Sequence, residues 1–131
     1  MMTHILVVDD NPINLKLASD VLEMEGYSTL KAVDAERAQE MLEQTIPDLI
    51  LMDIALPGMD GLTLTRKLKA DERLRHVPVI ALTAFAMKGD DRKALEAGCD
   101  GYITKPIDTR KLGEQVAEWL RSSRANAKGL P

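Results

Sequence analysis

Residues 47–61, PDLILMDIALPGMDG, decide the fold. The apolar run at residues 49–52 has no polar interruption, which is typical of a strand buried on both faces of a parallel sheet. The run ends at an acidic residue, Asp53, and a proline and two glycines then break the chain. Because the ligand crevice of an open α/β sheet lies outside the carboxyl ends of its strands, Asp53 is a candidate functional residue. For a lone aspartate, a solvated loop cap is the alternative interpretation.

Apolar runs alternate with helical patterns along the whole chain. The expected strands are residues 4–8, 27–33, 49–52, 79–83 and 101–104, the second at a sheet edge. The expected helices are the segments after the caps Asn11 and Asp34, residues 62–74, residues 88–97 and the segment after the cap Asp108. This alternation predicts an α/β fold: a five-stranded, doubly wound parallel sheet of order 2-1-3-4-5 with five helices on both faces, the flavodoxin-like arrangement.

Length and composition restrict the function classes. At 131 residues the chain is one domain, with residues 1–121 as its body and residues 122–131 as a polar tail. A formal charge of −4 argues against a nucleic-acid surface, and no apolar run is long enough for a membrane span. The single Cys99 forms no internal disulfide or zinc site, which favours the cytoplasm, and we expect it to be a packing residue.

Polar residues follow four of the expected strands. The strand order places Asp9 and Asp10 beside Asp53, and three adjacent carboxylates repel one another unless a cation intervenes. Oxygen ligands favour Mg²⁺, whose charge would balance the site together with Lys105. Thr83 contributes a hydroxyl to the same rim. Such a site can accept a phosphoryl group, with Asp53 as the nucleophile because the other groups face it.

Over residues 4–121 the sequence resembles the CheY-like receiver domain of two-component response regulators. The likeness is carried by Asp9-Asp10, Asp53 in LMDIALPGMDG, Thr83 in ALTA, and Lys105-Pro106. The resemblance implies that a histidine kinase or a histidine phosphotransfer protein passes its phosphoryl group to Asp53. It implies a signalling protein rather than an enzyme, with self-phosphorylation and slow loss of phosphate as its only reactions.

The resemblance also implies roles for the metal ligands. Asp10 would bind Mg²⁺ directly, and Asp9 would bind it largely through water. Asp53 and the backbone carbonyl of Ala55 would complete the protein ligands.

Further roles concern the phosphoryl group and the switch. Thr83 would bind the phosphoryl group and move toward it, and Lys105 would pair with it across a cis peptide bond to Pro106. Tyr102 matches the switch aromatic that turns inward when the threonine moves. Without the resemblance, Tyr102 would be a partly buried strand residue.

Partner contacts follow from the same resemblance. The kinase or phosphotransfer protein would dock near Asn11-Pro12-Ile13-Asn14 and Ile107. A downstream target would bind the face formed by the fourth helix, the fifth strand and the fifth helix, with phosphorylation-dependent dimerisation as a further possibility.

A narrower resemblance concerns residues 84–90, AFAMKGD, and Ala97-Gly98-Cys99. These segments are similar to DivK-like stand-alone cell-cycle regulators of alphaproteobacteria and also occur in receivers of hybrid kinases. In this family the side chains two residues after Asp53 and Thr83 flank the path of the hydrolytic water. Here they are Ala55 and Phe85, neither of which can orient water, so we expect a long-lived phosphoryl-aspartate.

The function alternatives belong to other classes. One is a receiver domain cut from a hybrid kinase or larger regulator, or a phosphorelay intermediate that passes phosphate on. Another is an enzyme, either a flavodoxin-like redox protein or a phosphohydrolase. Asp9 and Asp10 would repel the phosphate of FMN, and the chain has no insertion that could cover a phosphohydrolase substrate. The favoured interpretation is a stand-alone response regulator.

Overall fold

The apolar run of residues 49–52 forms the central strand, β3 (Leu49–Asp53), whose residues are all buried. The computed structural model describes residues 2–83 and 90–127. The other strands are β1 (His4–Val8), β2 (Ser28–Ala32), β4 (Val79–Thr83) and β5 (Gly101–Thr104). All are parallel, in the order β2-β1-β3-β4-β5, which confirms the predicted fold class and the edge position of the second strand.

Helices alternate with the strands as expected: four connect successive strands, and a fifth follows β5. They are α1 (Pro12–Met24), α2 (Ala35–Gln44), α3 (Gly61–Ala70), α4 (Asp90–Ala97) and α5 (Leu112–Ala127). Two of the three predicted caps are present, since Asn11 accepts hydrogen bonds from two backbone N–H groups of α1 and Asp34 accepts one from α2. Among the described residues, none of the helices combines the length and hydrophobicity that a bilayer crossing requires.

The sheet separates two apolar layers, because successive residues of each strand point to opposite faces. One layer lies under α2, α3 and α4, and the other lies under α1 and α5. From β1, for example, Leu6 belongs to the first layer and Val7 to the second. Cys99 is buried in the first layer as expected, and Trp119 packs, half-buried, against the second.

Three predicted helix ends are wrong. Helix α3 stops at Ala70 instead of Leu74, because Asp71 leaves the helical conformation and its carbonyl accepts turn hydrogen bonds from Leu74 and Arg75. Asp108 caps a turn that precedes the last helix: its side chain accepts from the Arg110 N–H, and α5 begins four residues after it. Helix α5 also continues to Ala127, into the segment that we expected to be a frayed tail. The expected start of α4 at Lys88 lies outside the described residues.

Candidate functional site

Three carboxylates meet at the carboxyl edge of the sheet. Asp53 is the last residue of β3, and Asp9 and Asp10 follow the neighbouring β1. One oxygen from each lies within 4.8 Å of the others. Asp9 and Asp53 are only 1% and 3% exposed, whereas Asp10 is exposed. The strand order therefore places these three acids together, as the sequence predicted.

Asp9 and Asp53 are held in the same way. The Oδ1 atom of each accepts a hydrogen bond from the backbone N–H two residues later, that of Asn11 or Ala55, and both distances are 2.9 Å. The Oδ2 atom of each lies 3.0 Å from Nζ of Lys105. Each buried carboxylate is thus oriented by the backbone on one side and by the same ammonium group on the other.

Lys105 reaches the acids from the end of β5. Its backbone N–H donates to the carbonyl of Thr83 at 2.6 Å, which ties the residue to the end of β4. The peptide bond between Lys105 and Pro106 is cis. The side chain of Lys105 is only 16% exposed, so its ammonium group faces the carboxylates with little competing water.

Burial and the neighbouring charges together shift the pKa values of Asp9 and Lys105. Burial is the main cause that raises the pKa of Asp9 above its usual range, and the nearby Asp53 adds to this, although Lys105 and the Asn11 N–H oppose it. Burial lowers the pKa of Lys105, but the attraction of the Asp9 and Asp53 carboxylates outweighs it, so the net shift is upward. Lys105 is therefore a permanent cation here.

The donor set fits a hard cation. Three carboxylates face one ammonium group, so negative charge remains at the site. The fully buried Oδ2 of Asp9 has only the ion pair with Lys105 and accepts no directed hydrogen bond. Carboxylate oxygens close together with an unused lone pair are the ligands that divalent cations of the alkaline-earth type prefer. Asp9, Asp10 and Asp53 could hold such a metal.

Two further predicted residues lie on β4 and β5. Thr83 is buried at 2% exposure as the last residue of β4, in register with Thr104 at the end of β5. Tyr102 lies on β5 and is 44% exposed, so its side chain is turned outward in this structure. Ala55 is exposed beside Asp53, and Phe85 lies outside the described residues.

The predicted docking residues lie at the start of α1 and after β5. Asn11 caps α1, Pro12 is its first residue, and Ile13 is 77% exposed, whereas Asn14 is partly buried. Ile107 is half-buried and packs against the apolar layer under α1 and α5. Asn11 also contributes its backbone N–H to the acidic site, where it binds Asp9, and Pro12, Ile13 and Asn14 follow it in α1.

The sequence reasoning missed Gly61. A Cβ atom at this position would lie 2.2 Å from the carbonyl oxygen of Asp53, so only glycine allows α3 to begin against the end of β3. The Gly61 N–H also donates to the carbonyl of Ile54. In the sequence, the Asp60-Gly61 pair after β3 indicates a chain break but not this close approach.

Comparisons with known proteins agree with this geometry. The model of the response regulator receiver domain family matches residues 5–117. The polar-differentiation response regulator DivK of Brucella ovis is 45% identical over 120 residues, covering 92% of this chain and 98% of that protein.

Among solved structures, a CheY-like response regulator receiver domain protein of Methanospirillum hungatei is 32% identical, with a TM-score of 0.88 over 96% of this chain and 99% of that one. The receiver domain of a Pseudomonas aeruginosa sensor histidine kinase, solved with a magnesium ion in its active-site cleft, is 38% identical, with a TM-score of 0.84 over 92% and 98%. The resemblance read from the sequence is thereby confirmed, and the chain belongs to the response regulator receiver domain family.

Proposed function

We propose that Asp53 accepts a phosphoryl group from a histidine kinase or a histidine phosphotransfer protein in a Mg²⁺-dependent reaction. The observation that carries the proposal is the buried Asp53 carboxylate, with Lys105 at 3.0 Å and two more acids within 4.8 Å. Membership of the receiver family supports the phosphoacceptor role.

The residues of the chain divide the chemistry among them. A carboxylate oxygen of Asp53 attacks the phosphorus atom, the new O–P bond forms, and the bond from phosphorus to the donor histidine breaks. Hydrogen bonding to the Ala55 N–H orients the nucleophile. Lys105 supplies positive charge to the phosphoryl oxygens, and the Thr83 hydroxyl donates to them. A bound Mg²⁺, held by Asp9, Asp10, Asp53 and the Ala55 carbonyl, would supply the remaining charge neutralisation.

The phosphorylated chain would signal through protein contact. The upstream partner would dock on the exposed Ile13 and its neighbours Asn11, Pro12 and Asn14, together with Ile107. The exposed ring of Tyr102 is free to turn inward when Thr83 engages phosphate, which would change the face formed by α4, β5 and α5 for a target or for a second copy.

We further propose that the chain acts as a stand-alone regulator in the cytoplasm. The chain covers 98% of the DivK protein of B. ovis, which is described as a response regulator. A second candidate is a receiver segment of a hybrid kinase or a phosphorelay intermediate, because a receiver of a Syntrophus aciditrophicus histidine kinase is 38% identical. Both candidates use the same site chemistry and differ in what receives the signal.

Intact-protein mass spectrometry after incubation with acetyl phosphate tests the proposal. We expect wild-type chain to gain one phosphoryl group with MgCl₂ and none with EDTA. Asp53→Asn should gain none, whereas Asp48→Asn, which changes another aspartate near the opposite end of β3, should behave like wild type. Equal modification of Asp53→Asn and wild type would contradict the proposal.

A further inference from the structure

A second polar cavity lies at the opposite edge of the sheet from the acidic site. Its volume is about 420 Å³, within the range of small-molecule sites, and it opens beside Pro78 and Asp100, which directly precede β4 and β5. Since all strands are parallel, this edge is their amino-terminal edge. No step of the phosphoryl chemistry described above involves the cavity.

The aromatic wall of the cavity is Trp119. A Cβ atom at Gly101 would lie 2.7–2.8 Å from three atoms of the indole ring, so the absence of a side chain at Gly101 is what allows the ring to lie against β5. The ring is half-buried and still lines the cavity. A flat aromatic ligand can stack on the planar indole ring of Trp119, which β5 holds in place.

Lys69 and Asp100 also line the cavity, and their charges are paired with each other. The Lys69 ammonium group donates to the carbonyls of Arg75 and Val77 at 3.1 and 2.8 Å, and to Oδ2 of Asp100 at 2.9 Å. The same Asp100 oxygen accepts the backbone N–H of Val79 at 2.8 Å. These hydrogen bonds hold the segment before β4 in place and leave Lys69 without a spare donor.

Other donors that line the cavity are unused. Among the described side chains, those of residues 2–83 and 92–123, no hydrogen bond or ion pair engages Arg75, His76, Ser122 or Ser123. Arg75 carries a positive charge, and its guanidinium group can bind a phosphate or carboxylate in bidentate fashion. Since Asp100 is already paired with Lys69, the available charge of the cavity is positive although the whole chain is acidic.

We propose that this cavity binds a nucleotide, with the base against Trp119 and the phosphate on Arg75 and His76. The aromatic wall and the unpaired cation lie in one cavity of suitable volume, and the serine hydroxyls can donate to a ribose or to phosphate oxygens. The proposal is independent of the phosphoacceptor role of Asp53.

The fluorescence of Trp119 provides the test, because it is the only tryptophan of the chain. We expect AMP and GMP to quench it saturably, and inorganic phosphate to compete. Arg75→Gln should weaken nucleotide binding about tenfold or more, since a charge-assisted hydrogen bond is lost. Arg66→Gln, an exposed arginine outside the cavity, should bind as wild type does. Circular dichroism checks that both variants are folded, which the exposure of both side chains favours.

Three results would overturn the proposal. The first is the absence of saturable quenching at millimolar AMP and GMP. The second is unchanged affinity in Arg75→Gln. The third is equal affinity for inorganic phosphate and nucleotide in a competition titration, which would identify a site for free phosphate without a contribution of the base.

Discussion

Lys105 is the only cation that the described part of the chain brings to Asp9 and Asp53. Its Nζ atom lies 3.0 Å from a carboxylate oxygen of each residue. A metal bound by the same carboxylates would be attracted by the same negative charge. Lys105 and a bound metal would therefore share the negative charge of the site. This balance distinguishes the site from a simple acidic patch, and it can be perturbed without changing a metal ligand.

Lys105→Met should bind Mg²⁺ severalfold more tightly than wild type, because the three acids lose their competing positive charge. The same change should slow phosphorylation by acetyl phosphate, because the ammonium group no longer neutralises the incoming phosphoryl oxygens. Calorimetric Mg²⁺ titration and intact-mass time courses measure the two effects. Lys111→Met, at an exposed lysine, is the control, and weaker Mg²⁺ binding in Lys105→Met would contradict this charge balance.

Ala55 controls the predicted lifetime of the phosphoryl group. Its methyl group is exposed beside Asp53 and cannot hydrogen-bond a water molecule. Ala55→Asn should therefore speed dephosphorylation by roughly tenfold, because the amide can position the attacking water. Ala55→Val adds volume without a polar group and should not accelerate the decay. Both rates follow from intact mass over time, and equal decay of Ala55→Asn and wild type would refute the expectation.

At the scale of the element, Asp60 stabilises the start of α3. Its Oδ1 accepts the Thr63 N–H at 2.7 Å, and this hydrogen bond is the main cause that lowers the pKa of Asp60 below 3.8. A lowered pKa means that the stabilisation is present above the unfolded-state pKa of 3.8 and is lost as the pH falls through the folded-state pKa.

Asp60→Ala should lower the free energy of unfolding by about 1 kcal/mol at pH 7, and the deficit should shrink as the pH falls toward about 3. Urea unfolding at several pH values measures it. Asp60→Asn retains an oxygen acceptor and should lose less, without the same pH dependence. A deficit of Asp60→Ala that stays constant down to pH 3 would show that the charge of Asp60 plays no part.

The buried strands β1, β3 and β4 could be predicted nearly to the residue, because their apolar runs end at the polar residues Asp9, Asp53 and Thr83. The end of α3 and the start of α5 could not be predicted as well. Asp71 and Asp108 each begin a turn, and the carbonyl of each accepts hydrogen bonds from the N–H groups three and four residues later, as in the first turn of a helix. Contacts between residues far apart in the chain could not be predicted from the sequence either. The Arg73 guanidinium group donates to the carbonyl of Leu42, 31 residues away, and nothing in the local sequence indicates that contact.

The grouping of Asp9, Asp10, Asp53 and Lys105 followed from the sequence because strand order and strand polarity alone bring their ends together. The contacts that support these side chains did not follow from the sequence. The close approach of Gly61 to the Asp53 carbonyl depends on where α3 packs, and the paired orientation of Asp9 and Asp53 depends on backbone turns. Such details are fixed by packing in three dimensions rather than by periodicity.

At the scale of the molecule, the sheet couples two apolar layers into one unit. Ile50 is fully buried in the layer under α2, α3 and α4, whereas Trp119 packs on the other layer. Ile50→Ala should cost about 2–5 kcal/mol through lost burial and a cavity. If the domain unfolds as one unit, the Trp119 fluorescence and far-ultraviolet circular dichroism midpoints should fall together. A fluorescence midpoint that stayed at the wild-type value would show that the layers unfold independently.

The proposed function depends most on which residue is phosphorylated, since one oxygen each of Asp9, Asp10 and Asp53 lies within 4.8 Å of the others. Reduction of the phosphorylated chain with borohydride converts an aspartyl phosphate to homoserine, and peptide mass spectrometry then locates it. We predict homoserine at position 53 alone and only in samples that contained Mg²⁺. Homoserine at position 9 or 10, or at no position in a chain that has gained a phosphoryl group, would contradict the assignment of Asp53 as the phosphoacceptor.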